Sequence, residues 1–409
     1  MALPEQETLN ALIARVFRIE DVTLGEASKG FLYRYRGQLY SEDSAAAYDQ
    51  LADALRPHGF TPLFRKDEQG GQLILLIPAL AAPKPSRTRT NILMFVLTVF
   101  SVFLSGAFYQ YLSTNPSIDP NKLSIPDTYA MALQNFWGGW PFAVSLLAIL
   151  LAHEFGHYLA GRYHKVALTL PYFIPLPIPG GVGTMGAVIQ MKEPPKNKRI
   201  LLDIGIAGPL AGLVVAIPIL LYGLHISPLE YHLVDASGAE GNSILYLLLK
   251  YATFGQLLPA PASYGNVPPV LYWLRYFFTA TPLPNGGTDV LLSPVAWAGW
   301  IGLLVTSLNL IPAGQLDGGH LMYVLFGGKR LRSLLPLIQI ILAVLGLFSV
   351  SWWLWLVILS FFGRFTDEPL DQITELDRAH RILALLGIVV FFLVFMPVPL
   401  PASIFDLFK

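Results

Sequence analysis

Two histidines four residues apart, with a glutamate directly after the first, stand at His153, Glu154 and His157. On a helix such residues share one face, roughly 6 Å apart along the axis, so both imidazoles reach one zinc ion. Glu154 falls beside the metal rather than on it, where a carboxylate takes a proton from bound water. The surrounding run, LAILLAHEFGHYLA (147–160), offers water no polar face. The plain alternative is a buried helix whose histidines only satisfy local hydrogen bonds. Ionisable groups in a membrane-length apolar run are costly and usually functional, which favours the metal.

A hydrolytic zinc site normally has three protein ligands and one open position. The third candidate is Asp317, in LDGG, a carboxylate flanked by glycine after an apolar run. Alone, an Asp-Gly pair reads as a turn. Glu193, Glu230 and Glu240 lie in Pro-rich or loop-like sequence and offer no helical glutamate ligand instead. Asn309 reads either as a helix-end cap or as a hydrogen-bond donor to substrate or a developing oxyanion, with His320 a weaker candidate for the same work.

These residues need a membrane scaffold. Hydrophobic residues make up 54% of the 409 and charged residues 13%, about half the charged share of a soluble domain. Net charge is zero, so no global field points to nucleic acid, and without cysteine there are no disulfides, thiolate ligands or thiol nucleophiles. The first residues lack the pattern of a cleaved signal peptide. The fold class expected is a polytopic α-helical membrane protein of about seven spans, preceded by a small soluble α+β domain.

That domain is expected over 1–82: helices at 5–16 and 41–55, a strand at 31–40, and a hairpin of 60–65 with 72–77. It carries no catalytic constellation; His58 reads as a turn residue, and a partner for the domain is not legible. A basic linker (83–90) precedes a first span and external loop (91–139). The zinc helix, 140–163, opens a membrane core over 140–325. Within that core, 166–191 holds Pro171, Pro175, Pro177 and Pro179, so a re-entrant loop or hairpin shielded by protein is expected. Residues 200–224 span again, with GIAGPLAG (205–212) for close helix contact and Asp203 as a helix-start acid. An external segment (225–289) follows, then a span at 293–311 delivering Asn309 and Asp317 to the level of His153. C-terminal spans occupy 326–409, with a helical hairpin at 334–363 broken near 349–351. Basic residues at 84–89, 192–199 and 329–332 put the N-terminal domain and the site on the cytoplasmic side of a multi-pass protein, in the cell membrane.

With both halves in place, the sequence resembles the site-2 protease family of intramembrane zinc metalloproteases. His153, Glu154 and His157 match that family's His-Glu-x-x-His helix. Asn309, Pro312, Leu316, Asp317 and Gly318 match its Asn-x-x-Pro and Leu-Asp-Gly half, and GTMGAV (183–188) is similar to its glycine-containing hairpin. Ala313 and Gly314 depart from the pattern, since a second proline is common after Pro312. No PDZ-like insertion separates the motifs. The resemblance covers roughly 140–325. It implies one Zn²⁺ per chain on His153, His157 and Asp317, Glu154 as general base, and a membrane-spanning protein substrate within the lipid bilayer. The competing reading is a divalent-metal transporter using the same histidines, although the other spans carry few of the polar residues a transport path needs.

Overall fold

The computed structural model describes residues 6–25, 30–67, 69–82, 87–115, 117–119, 122–232, 240–281 and 286–400. Lys84 of the basic linker lies outside them. The N-terminal domain comprises α1 (Gln6–Ile13), β1 (Phe17–Leu24), β2 (Tyr33–Leu39), α2 (Ser44–Leu55), β3 (Phe60–Lys66) and β4 (Gln72–Pro78). Its antiparallel sheet has the order β1-β2-β4-β3. Asp43 caps α2 by accepting from the amides of Ala45 and Ala46, as the Ser-Glu-Asp run implies. His58 sits in a short 3-10 turn ended by Gly59 at φ 78°. Strand β1 was absent from the expected elements: in FRIEDVTL the burial does not alternate cleanly, because a bulge between Ile19 and Asp21 breaks the period of two.

The apolar part begins with α3 (Thr88–Thr114), α4 (Ile125–Gln134) and α5 (Trp140–Tyr163). A two-stranded antiparallel hairpin follows, β5 (Tyr172–Pro175) and β6 (Thr184–Val188), then α6 (Lys198–His225). Residues 225–290 form β7 (Leu229–His232), α7 (Ile244–Phe254), β8 (Ala260–Pro261), α8 (Pro269–Thr279) and β9 (Gly287–Val290), with the sheet order β7-β9-β8. The chain continues through α9 (Pro294–Asn309), α10 (Asp317–Phe326), α11 (Gly328–Leu345), α12 (Ser351–Phe362) and α13 (Arg378–Val394). The expected helical hairpin is α11 with α12, which pack together across the break at 346–350.

Among the described residues, three helices are long and apolar enough to cross a membrane: α3, α5 with the turn before it, and α6. A 27-residue helix reaches ~40 Å, more than the ~30 Å hydrocarbon core of a bilayer. The count of about seven spans is not reached on that measure. Helix α9 has 16 residues, α12 has 12 and α13 has 17.

Outward faces remain apolar nonetheless. Ile92, Val96 and Phe100 are exposed on α3, and Ile382, Leu385, Val389 and Phe392 on α13. Such stripes at helical spacing suit lipid rather than water. Helix α9 is instead enclosed, packed on α5 and α6 with Ala296, Trp300 and Leu303 buried.

The Pro/Gly-rich segment around hairpin β5–β6 takes several of its backbone hydrogen bonds from side chains of α3. Asn91 Nδ2 donates to the carbonyls of Leu170 (2.9 Å) and Pro171 (3.1 Å), Ser105 Oγ to Ile178, and Tyr109 OH to Gly180. Irregular backbone at membrane depth needs such partners, because lipid supplies none. Asp203 is not at the start of a helix: Asn197 caps α6, and Asp203 pairs with His164 (2.8 Å) and His380 (3.4 Å) one turn further on.

Candidate metal centre

Helix α5 presents His153 and His157 one turn apart, both buried, with Glu154 buried beside them. The loop after α9 brings Asp317, first residue of α10, to the same point; Gly314 turns that loop at φ 61°, a conformation suited to glycine. The Nε2 atoms of the histidines stand 3.2 Å apart. Asp317 places Oδ2 3.4 Å from His153 Nε2 and Oδ1 3.4 Å from His157 Nε2. Among the described residues, these three form a group of convergent metal-ligand atoms.

The spacing tests whether zinc fits. Corners of a tetrahedron with ~2.0–2.1 Å bonds lie ~3.3–3.4 Å apart, close to the separation of the two imidazoles and to the distance from each imidazole to one oxygen of Asp317. The buried Asp317 Oδ2 has no hydrogen-bond partner. A buried carboxylate oxygen left unpaired beside two imidazole nitrogens is costly unless a cation completes the group. Two nitrogens and a carboxylate are also a donor set that zinc accepts.

Support comes largely from α6. His157 Nδ1 lies 2.7 Å from the Ile204 carbonyl, which accepts its proton and leaves Nε2 for the metal. Ile204 is ~9 Å along α6 from Lys198, so the centre lies near one end of the bundle. Gly208 faces His157 so closely that a Cβ there would overlap Nε2. Gly212 faces His153, with a Cβ position 3.3 Å from Nδ1. The small residues of GIAGPLAG thus bring the helices together and also make room for the imidazoles.

Asn309, last residue of α9, puts Nδ2 3.1 Å from His153 Nε2. His320 stands further off: its Nε2 is 3.1 Å from Asp367 Oδ2, and its Nδ1 is buried without a partner. Gln315 Nε2 donates to the other oxygen of Asp367 at 3.0 Å. Burial alone would raise the Asp367 carboxyl, but the bonds from His320 and Gln315 hold it below the usual carboxylate range. All these residues line one cavity of about 400 Å³, which Ala187–Met191 at the end of the hairpin also line. Ile204, Gln315 and Asp367 are singled out by no sequence pattern; only a three-dimensional contact picks them out.

The model of peptidase family M50 matches residues 141–351, slightly more than half of the chain. The chain belongs to peptidase family M50. The M50 match takes in His153, Glu154, His157, Asn309, Asp317 and His320, and excludes both the N-terminal domain and Asp367. Over 355 residues the chain is 32% identical to a probable zinc metalloprotease EGY1, chloroplastic, of Oryza sativa subsp. japonica, covering 82% of this chain and 55% of that protein. The Arabidopsis thaliana protein of the same name is 28% identical over 351 residues, covering 81% and 58%. A probable zinc metalloprotease EGY2, chloroplastic, of Oryza sativa subsp. indica is 27% identical over 307 residues, covering 75% and 49%. The chain therefore spans about half the length of these curated relatives. No solved structure matches it.

Proposed function

We propose that this M50 chain is an intramembrane zinc metalloprotease that hydrolyses peptide bonds of membrane-spanning proteins. The observation that carries the reading is the convergence of His153, His157 and Asp317, with separations of 3.2 to 3.4 Å, and of Glu154 beside them in a cavity among apolar helices. His153, His157 and Asp317 would hold the ion, and zinc bound there would supply Lewis acidity towards a peptide carbonyl and a water molecule.

Glu154 accepts the proton of the attacking water and passes it to the leaving amine nitrogen. The Asn309 amide, 3.1 Å from His153 Nε2, is positioned to donate to a carbonyl oxygen that gathers charge. The cavity wall at Ala187–Met191 borders the path of the substrate backbone, which must be extended there because a helix hides its peptide bonds. Helices α9, α11, α12 and α13 complete the membrane part. The basic residues Arg87, Arg89, Arg199, Lys329 and Arg332 favour a cytoplasmic N-terminal domain and site end, in the cell membrane.

Glu154→Gln tests the mechanism. The variant keeps size and hydrogen bonding, so it should hold zinc like wild type while cleaving single-span substrates in detergent ~10²–10⁴-fold more slowly. Equal cleavage rates refute the general base. Transport of zinc across vesicles by a wild type that cleaves nothing supports the transporter instead.

A further inference from the structure

Asp317 is held by an irregular loop, 310–316, rather than by the middle of a helix, so something must fix that loop. Asp367 grips it on both sides. One carboxylate oxygen accepts from Gln315, two residues before the ligand, and the other meets His320, three residues after it.

Asp367 itself lies in 364–377, a segment without helix or strand between α12 and α13. Its own position is therefore set by what it is tied to. Glu368 accepts from Arg332 Nη2 at 2.7 Å. Leu370 and Asp371 donate their amides to the carbonyls of Pro195 (3.0 Å) and Lys196 (2.7 Å).

The remaining ties run to the N-terminal domain. Strand β3 is an edge of its sheet, and the segment lies along that edge. Phe64 N donates to Leu370 O and Gln372 N to Phe64 O, each at 3.0 Å. Arg65 Nη1 donates to the carbonyls of Pro369 (3.2 Å) and Leu370 (2.7 Å). Ser44 and Thr374 hydroxyls meet at 2.8 Å, and Ile373 is buried in the domain's own core. Two residues, Glu368 and Pro369, thus separate Asp367, in the wall of the cavity, from the start of a strand-like seam with a domain that the M50 match does not include.

We propose that Asp367 is a positioning residue for the loop carrying Asp317, and that the N-terminal domain, by clamping 369–374 against β3, governs how firmly the loop is held. The inference rests on reading His153, His157 and Asp317 as a metal site. It gives the domain a regulatory purpose: a partner that loosened the seam would loosen the third ligand.

The test uses the full chain in detergent, with cobalt as the probe ion. Cobalt affinity, the visible absorption of the bound ion, and hydrogen exchange of the metal-free protein at 313–320 are measured together. Asp367→Ala should weaken cobalt binding about tenfold, the lower end for residues that support a ligand, alter the absorption band and speed exchange at 313–320. Asp367→Asn, which still accepts from Gln315, should recover most of the affinity. Arg65→Ala, outside the cavity, should speed exchange at 369–374 and at 313–320 and weaken cobalt binding in the same direction.

Wild-type affinity and exchange in Asp367→Ala overturn the positioning role. Faster exchange at 369–374 in Arg65→Ala, with 313–320 and cobalt affinity unchanged, overturns the domain's part. A wild type that binds cobalt no better than Asp317→Ala overturns the metal-site reading beneath both; a wild type that binds and cleaves while Asp367→Ala does so equally leaves that reading standing and removes only this one.

Discussion

Asp317 is the ligand whose loss is most informative, because it alone comes from outside α5. Asp317→Ala leaves two imidazoles 3.2 Å apart with no carboxylate. Zinc retention should fall by at least ~100-fold, beyond the ~10–100-fold that supporting residues cost; metal analysis after dialysis checks it, and a full zinc complement rejects the assignment. The grouping of His153, His157 and Asp317 was legible in the sequence because metal-ligand chemistry restricts residue type and the surrounding runs are apolar or glycine-rich. Asn309 was legible only as a pair of alternatives, and it turns out to end a helix and face His153 as well. Asp367 and Gln315 were not legible. Each is an ordinary polar residue in a loop, and its role exists only because two distant loops meet.

The centre depends on one helix pair as much as on its ligands. His153 and His157 are four apart on α5, and Gly212 and Gly208 are four apart on the antiparallel α6 facing them. The two repeats are in register, so each imidazole sits opposite a residue without a side chain. A methyl group at 208 would overlap His157 Nε2, whereas one at 212 would stand 3.3 Å from His153 Nδ1, a contact that slight movement relieves. Gly208→Ala should therefore lower zinc affinity ~10–100-fold, and Gly212→Ala clearly less, in a competition titration against a chelator. Equal losses, or none, would show that α6 does not set the imidazole positions. The glycines in GIAGPLAG advertised close packing, which they provide, but the sequence did not say against what. The long apolar helices were similarly plain, with α5 bounded at 140 and 163 as expected. Three elements escaped: α4 and α8 open on prolines that read as turn signals, and the bulge in β1 breaks its alternation.

At the scale of the molecule, the candidate metal centre lies towards one end of the bundle. The N-terminal domain meets that end through Lys196–Asp49 (2.7 Å) and the seam along β3, while α7, α8 and the β7-β9-β8 sheet gather at the opposite end of α6. Helix α6, 28 residues long, separates the two by ~42 Å, a bilayer with margin. Basic residues follow the same division: Lys192, Lys196, Lys198, Arg199, Lys329, Arg330 and Arg332 lie near the site, whereas 240–281 holds only Lys250 and Arg275. This asymmetry predicts which end faces the cytoplasm. Because the chain has no cysteine, single cysteines report without background. Ser41, Ser263 and Ser333 are exposed, on the N-terminal domain, between β8 and α8, and on α11. In intact cells, Ser263→Cys should react with an impermeant maleimide, while Ser41→Cys and Ser333→Cys should react only after the membrane is opened. Labelling of Ser41→Cys and Ser263→Cys from one side would mean that α3, α5 and α6 do not cross in alternation. The membrane reading that joins the N-terminal domain to the site end would fall with it.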